Sequence, residues 1–234
     1  MPYKIETHCH TSEVSSCGRL PGSQIAEGYM LAGYSASVVT DHIGADRFAL
    51  GRRYLPDRVD MYLQGWREAK KEGDKWGLNV LLGAEARLIS GDEDFLIFGL
   101  AEEDIGPLML LLDSRPDIYA FSAAVRARGW MIVQAHPCRP GLKTGPPETL
   151  DGVEVYNGNP RHDSRNALAL AFAREHGLLM TSGSDAHHFM DVARGGLLSP
   201  EEIANNDQLL AFLRRDKRPE RIETLTGFVK KQSV

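Results

Sequence analysis

Cysteine is scarce: Cys9, Cys17 and Cys138 are the three among 234 residues. So few, and an odd number, cannot form a disulfide framework, and a reduced, cytoplasmic protein is expected. Long apolar runs are absent as well. None approaches the ~18–20 residues of a bilayer span, which excludes a helical membrane anchor within this sequence. The opening residues lack the basic and apolar regions of a secretory leader, so none is expected. Positive charge is not in excess, since 27 Lys+Arg against 32 Asp+Glu leave a net charge of −5. That balance argues against a general nucleic-acid coat but not against a phosphorylated substrate, because bound divalent cations can reverse the sign of one cleft. No repeat, low-complexity tract or Pro/Ser linker divides the chain, and residues 1–234 read as one domain.

What is present is a recurring order: a short apolar run, a polar cluster, then a helical pattern. The runs are 3–7, 36–40, 78–83, 130–135, 152–156 and 178–182, with 95–100 as a further strand. Their Val, Ile, Leu and Met content suits strands buried on both faces. Between them, Ile25, Tyr29 and Ala32 share a helical face, as do Val59, Tyr62, Leu63 and Trp66. So do Phe121 with Val125, and Leu168 with Ala171 and Phe172; glycines 33, 129 and 177 supply helix stops. Ser199-Pro200-Glu201-Glu202 reads as a helix-starting capping box. Strands alternating with helices predict an α/β fold with a mostly parallel sheet, open or closed.

Histidine and acidic residues collect where these strands end. His8-Cys9-His10 follows the first run and Asp41-His42 the second; Glu85 follows the third, His136 the Trp130–Ala135 run, and Asp185-Ala186-His187 the last. Loops after parallel strands gather on one face, so residues distant in sequence are expected to converge. In an extended segment, residues i and i+2 point the same way. His8 and His10 can therefore grip one ion while Cys9 packs behind them, and Asp185 with His187 repeats the spacing. Imidazole and carboxylate donors suit Zn²⁺, Mn²⁺ or Fe²⁺. Each motif alone has an ordinary explanation: a core histidine, a helix cap, a strand exit. Five together at predicted strand ends point to one site. His176, before Gly177, is expected to complement a helix dipole, His188 is given no role, and His162 reads as a solvated loop residue.

In this order, Thr7-His8-Cys9-His10-Thr11, Thr40-Asp41-His42, Gly83-Ala84-Glu85, Ala135-His136-Pro137 and Gly183-Ser184-Asp185-Ala186-His187 resemble the signature of the PHP superfamily (polymerase and histidinol phosphatase domain). The segment 152–157 is similar to the family's penultimate strand. The resemblance implies a distorted (β/α)7 TIM-like barrel with two or three divalent metal ions (Mn, Zn or Fe) at the C-terminal strand ends. Carried over, His8, His10, Glu85 and Asp185 would hold the first metal, Glu85 and His136 the second, and His42 with His187 the third. Two positions depart from the pattern. Asp94 stands where many members have a histidine, and Glu13, or Cys17, stands where many have a further third-metal ligand.

The chemistry implied is hydrolysis of a phosphate ester, a monoester or a nucleotide 3′/5′ phosphate, with Asp41 or Asp185 as acceptor of the water's proton. Phosphate recognition calls for arginine forks. Of Arg19, Arg52, Arg53, Arg139, Arg161 and Arg194, we favour Arg139 and Arg194, with Asn157 orienting the ligand. The partner expected is a small phosphorylated molecule, with a short oligonucleotide as the alternative and no membrane. Two other readings compete: an amidohydrolase-type deaminase or amidase, and a non-catalytic metal-binding module.

Overall fold

The computed structural model describes residues 1–44, 54–215 and 217–224. Arg52 and Arg53, two of the sequence-derived phosphate candidates, lie outside them. Strand β1 (Tyr3–Cys9) leads to helix α1 (Gly22–Leu31), β2 (Ala36–Val39), β3 (His42–Ile43) and α2 (Leu55–Trp76). Next come β4 (Asn79–Leu82), β5 (Ala84–Arg87), β6 (Asp94–Phe98), α3 (Ile105–Asp113), α4 (Ile118–Ala127) and β7 (Met131–Gln134). The chain closes with β8 (Gly152–Asn157), α5 (Asn166–His176), β9 (Leu179–Gly183), β10 (Gly195–Ser199), α6 (Asn206–Arg215) and β11 (Glu220–Glu223).

The expected strands and four of the helices are present, and Gly33, Gly77, Gly129 and Gly177 all take positive φ after their helices. The sheets form a mixed α/β arrangement: five strands in the order β11-β10-β1-β2-β4, and six in the order β3-β5-β6-β7-β8-β9. A regular (β/α)7 barrel is not confirmed, because β6 runs antiparallel to both β5 and β7, and β10 antiparallel to both β1 and β11. Two local expectations also fail. In α5, Ala169 and Ala173 face inward while Leu168 is exposed, so the buried stripe lies one residue along. Ser199-Pro200 opens no helix: the Ser199 hydroxyl bonds within its own turn, and α6 begins after Asn205, whose carboxamide oxygen accepts from Gln208 N.

The sheets meet along two seams, and the seams position the site. At one, Gly83 N→Val39 O (2.9 Å) and Glu85 N→Asp41 O (3.0 Å) carry the β2/β4 ladder into the β3/β5 pair. At the other, His10 N→Ala186 O (3.1 Å) and Thr7 Oγ1→Ser182 O (2.8 Å) tie the end of β1 to the end of β9. Apolar residues from β5, β6, β7 and β8 pack with α2, α3 and α4 in one core cluster; β1, β2 and α6 contribute to a second. The polar ends of β1, β3, β5, β7 and β9 are thereby brought together.

Candidate metal centre

Four of the predicted ligands meet at the β1–β9 seam. His8 Nε2 lies 3.2 Å from His10 Nε2, 3.5 Å from Glu85 Oε1 and 3.5 Å from Asp185 Oδ1. His10 Nε2 lies 3.3 Å from Glu85 Oε2 and 3.4 Å from Asp185 Oδ1. Around them, His136 Nε2 approaches Glu85 Oε1 at 3.1 Å, His42 Nδ1 approaches Glu85 Oε2 at 2.9 Å, and His187 Nδ1 lies 3.4 Å from Asp185 Oδ1. Cys9 points away, its sulfur against Ser37 and the Val38 carbonyl, as alternation along β1 requires.

These spacings suit a shared cation. Ligands about 2.0–2.2 Å from a tetrahedral ion stand roughly 3.3–3.6 Å from one another, the separations found here. Donor groups whose ligand atoms fall within 4.8 Å of one another include His8–His10–Glu85, His8–His136–Asp185, His10–His42–His187 and His42–Glu85–Asp94. Among the described residues, His136 Nδ1 is buried without a hydrogen-bond partner, a costly state that a bound cation or its water shell would relieve. Backbone strain points to the same place: His136 (φ 31°) and Asp185 (φ 49°) sit in the left-handed region, unusual for residues other than glycine.

The protonation pattern is that of a donor set balancing its own charge. Burial pulls the His8 imidazole down, but Glu154, Asp185 and Glu85 outweigh it and hold His8 well above the ordinary range. His42 likewise is depressed by burial and raised by Glu85, to about 10. His10 is driven down to about 3 by burial and by the neighbouring His42 charge. Glu85 and Asp185, despite burial that opposes ionisation, are held well below the usual carboxylate range, Glu85 chiefly by His42 and His8 and Asp185 chiefly by His8.

Other predicted residues have different work. Asp41 has both oxygens already engaged: Oδ1 accepts from Thr11 N and Ser15 Oγ at 2.7 Å each, and Oδ2 from Thr11 Oγ1 at 2.6 Å. It braces the loop after β1, and helix α2 crosses so closely that a Cβ at Gly65 would lie 1.8 Å from Thr11 Oγ1. Glu13 is turned to the start of α1, where both its oxygens accept from Gly22 N, 3.1 Å away. Asp94 stands opposite Arg87 in the antiparallel β5–β6 pair, and both its oxygens are engaged by the Arg87 guanidinium, although a carboxylate oxygen lies within 4.8 Å of donors on His42 and Glu85.

Asn157 bonds to Glu154 Oε2 (2.9 Å) and Asp185 Oδ2 (3.2 Å), so its amide supports the donors. Arg139 Nη2 reaches Asp185 Oδ2 at 2.8 Å, while its Nε is buried and unpartnered. Arg194 Nε is turned to the Gly158 carbonyl, and Arg161 bonds to Asp191. His162 is exposed in the loop after β8, as expected; its partial burial and the Arg139 charge both depress it.

Two buried acids escaped sequence reasoning. Glu154 Oε1 receives His8 Nδ1 at 2.9 Å, and Oε2 receives the His136 amide at 3.0 Å, orienting two donors at once. Its signal was legible: Val153 and Val155 enter the apolar core, so the acid between them points to the other face of β8. Glu6 accepts from Thr7 N, His8 N, Ser184 N and the Ser184 hydroxyl, clamping the first motif to the last. Burial raises its carboxyl to about 7 against those hydrogen bonds.

Residues 163–217, spanning α5 to the end of α6 with Asp185 and His187, match the family model described as PHP-associated. The chain also superposes, over 96% of its length, on a Bacteroides vulgatus two-domain protein described as containing a PHP-like metal-dependent phosphoesterase (TM-score 0.64, 19% identity). The chain shares the fold of that structure. A protein from Bifidobacterium adolescentis assigned as a metal-dependent phosphoesterase matches 92% of this chain and 98% of its own (TM-score 0.57, 18% identity). The lesion-specific endonuclease EndoQ of Pyrococcus furiosus matches 92% of the chain (TM-score 0.66, 13% identity). The chain spans 65% of the Bacteroides protein and 56% of EndoQ. No curated protein sequence matches it.

Proposed function

We propose that this PHP-type protein is a metal-dependent phosphoesterase that hydrolyses a phosphate ester, a monoester or a nucleotide 3′/5′ phosphate. The observation carrying this reading is that Glu85 presents its two oxygens to two groups of imidazoles, 3.1 Å from His136 and 2.9 Å from His42, while Asp185 closes the set beside Arg139. His8, His10, Glu85 and Asp185 would hold a first cation, Glu85 and His136 a second, His42 and His187 a third. The two seams support a distorted barrel as the scaffold. When bound, divalent cations acidify water and neutralise charge developing on phosphoryl oxygens.

The chain's own residues fix the geometry. Glu154 holds the His8 ring by Nδ1 so that Nε2 faces the other donors. Asp185 keeps Oδ1 toward His8 and His10, because Arg139 and Asn157 occupy Oδ2. Its carboxylate, held well below the usual range, suits ligation better than proton capture. Arg139, bonded to Asp185 through Nη2, would supply the guanidinium for a phosphate held at the centre.

The test is release of phosphate from a broad panel of mono- and diesters by protein loaded with Mn²⁺, Zn²⁺ or Fe²⁺, with ammonia release measured alongside. Phosphate without ammonia is expected. Ammonia alone would establish an amidohydrolase; neither product, from metal-loaded protein, would establish a binding module. Among the described residues no helix is long and apolar enough to cross a membrane, so the substrate is sought among phosphorylated small molecules and short oligonucleotides.

A further inference from the structure

The centre is most open at one edge. Apart from His187 at 13%, the side chains of the proposed donors are at most 9% exposed. Two residues beyond His187, Phe189 and Met190 stand 65% and 81% exposed, an aromatic ring and a thioether left uncovered beside that edge.

The turn that carries them is fixed. Phe189–Asp191 form one 3-10 turn, closed by Asp191 N→His188 O (2.9 Å) and Val192 N→Phe189 O (3.3 Å). Asp191 is fully buried: Oδ2 accepts the amides of His187 (3.0 Å) and His188 (2.7 Å), and Oδ1 accepts Arg161 Nη1 at 2.6 Å. Arg161 comes from the loop after β8, so two loops at the edge of the centre are tied together. Phe189 and Met190 are thus held outward by a braced backbone.

Leu31, Trp76 and Leu110 are also exposed, but each stands singly on a helix, and scattered apolar side chains need no explanation. An apolar pair directly after a donor motif does. Two side chains fall far short of the ~800 Å² per partner of a stable protein interface. They match one planar ring instead, and an aromatic face with a polarizable sulfur favours stacking on a π-system. Positive charge lies alongside in Arg161 and in the exposed Arg19, whose amide donates to His187 O at 2.8 Å.

We propose that Phe189 and Met190 form the platform on which the base of a nucleoside phosphate stacks, its phosphate lying toward His187 and Arg139. The assignment rests on the phosphoesterase reading above and narrows the substrate to esters that carry a base. Two residues of chain span at most about 7 Å, so a base on Phe189 and a phosphate at the centre belong to one nucleotide.

The experiment compares adenosine 5′-monophosphate with ribose 5-phosphate, which lacks the base, as substrates of metal-loaded wild type, Phe189→Ala and Phe189→Trp. Phe189→Ala should raise KM for the nucleotide about tenfold, the scale of one lost stacking contact, with ribose 5-phosphate unaffected. Phe189→Trp should restore the nucleotide. As a readout that needs no turnover, calorimetry should show adenosine, which has no phosphate ester, binding about tenfold more weakly to Phe189→Ala. Inorganic phosphate should bind both proteins equally. Because Phe189 is largely exposed, its truncation removes little packing and the variant should fold. Equal losses for both substrates, or adenosine binding unchanged by Phe189→Ala, overturn the platform. So does a wild-type dimer that Phe189→Ala dissociates, which would make the pair a contact between subunits. Hydrolysis indifferent to Phe189 keeps the phosphoesterase reading and loses the platform. Adenosine bound through Phe189 by protein that hydrolyses no ester does the reverse.

Discussion

His42 and Glu85 stand directly opposite each other in the parallel pairing of β3 with β5, and the imidazole reaches back to within 2.9 Å of the carboxylate. Strand register thus sets a contact between residues 43 positions apart, and the same carboxylate meets His136 through its other oxygen. Replacing Glu85 with Ala should remove cation from both sides of it. Metal analysis of purified protein should show at least one equivalent fewer than wild type, with turnover lowered by more than the roughly 10–100-fold typical of an outer partner. Unchanged metal content would remove Glu85 from the ligand set.

Glu154 touches the centre through His8. Glu154→Gln keeps the shape but weakens the hold on the His8 Nδ1 proton, and should reduce metal affinity or turnover about 10–100-fold while the fold persists. Competition with a chromophoric chelator measures the first, and phosphate release at saturating metal the second.

Asp41 separates a bracing role from a catalytic one. Asp41→Ala leaves Thr11 N and two hydroxyls without their acceptor in a buried loop, at a cost of about 1–3 kcal/mol in stability. Denaturant unfolding should show that loss, whereas the properly folded, metal-loaded fraction should keep most of its turnover. Full stability with turnover abolished would restore Asp41 as the base.

Cation uptake should release protons, and the sign follows from His42. Its pKa, held near 10 by Glu85 against burial, leaves the imidazole protonated at pH 7, whereas only the neutral ring offers a lone pair. Affinity should therefore rise with pH, by about tenfold per unit for each proton displaced, and level off as pH passes the pKa. His10, brought down to about 3, is already neutral and adds nothing to the slope. Calorimetry at pH 7 in buffers of different ionisation enthalpy should report net release of at least one proton; zero release contradicts the pattern.

Arg139→Ala should raise KM for a phosphate ester about 10–100-fold, the scale of a lost charge-assisted fork, and Arg139→Lys should restore only part of it. Arg194→Ala should change KM far less, because Arg194 Nε is committed to the Gly158 carbonyl. Steady-state kinetics on one ester at fixed metal separates the two.

The sequence by itself determined the donor inventory and its rhythm. Period-two spacing put His8 and His10 on one side of β1 with Cys9 on the other, and short apolar runs with glycine stops located the strands and helices. It could not supply strand direction. Asp94 looked like a ligand replacement upstream of a strand; only the antiparallel course of β6 shows that it stands opposite Arg87, which holds both its oxygens. The two-residue β3 and the strands β10 and β11 were invisible because their pairing is set by distant partners rather than by local pattern. Tertiary structure alone decided which polar groups face the centre. Asp41 and Glu13 have suitable chemistry, but an oxygen surrounded by backbone and hydroxyl donors is already satisfied, and that depends on where the rest of the chain has folded.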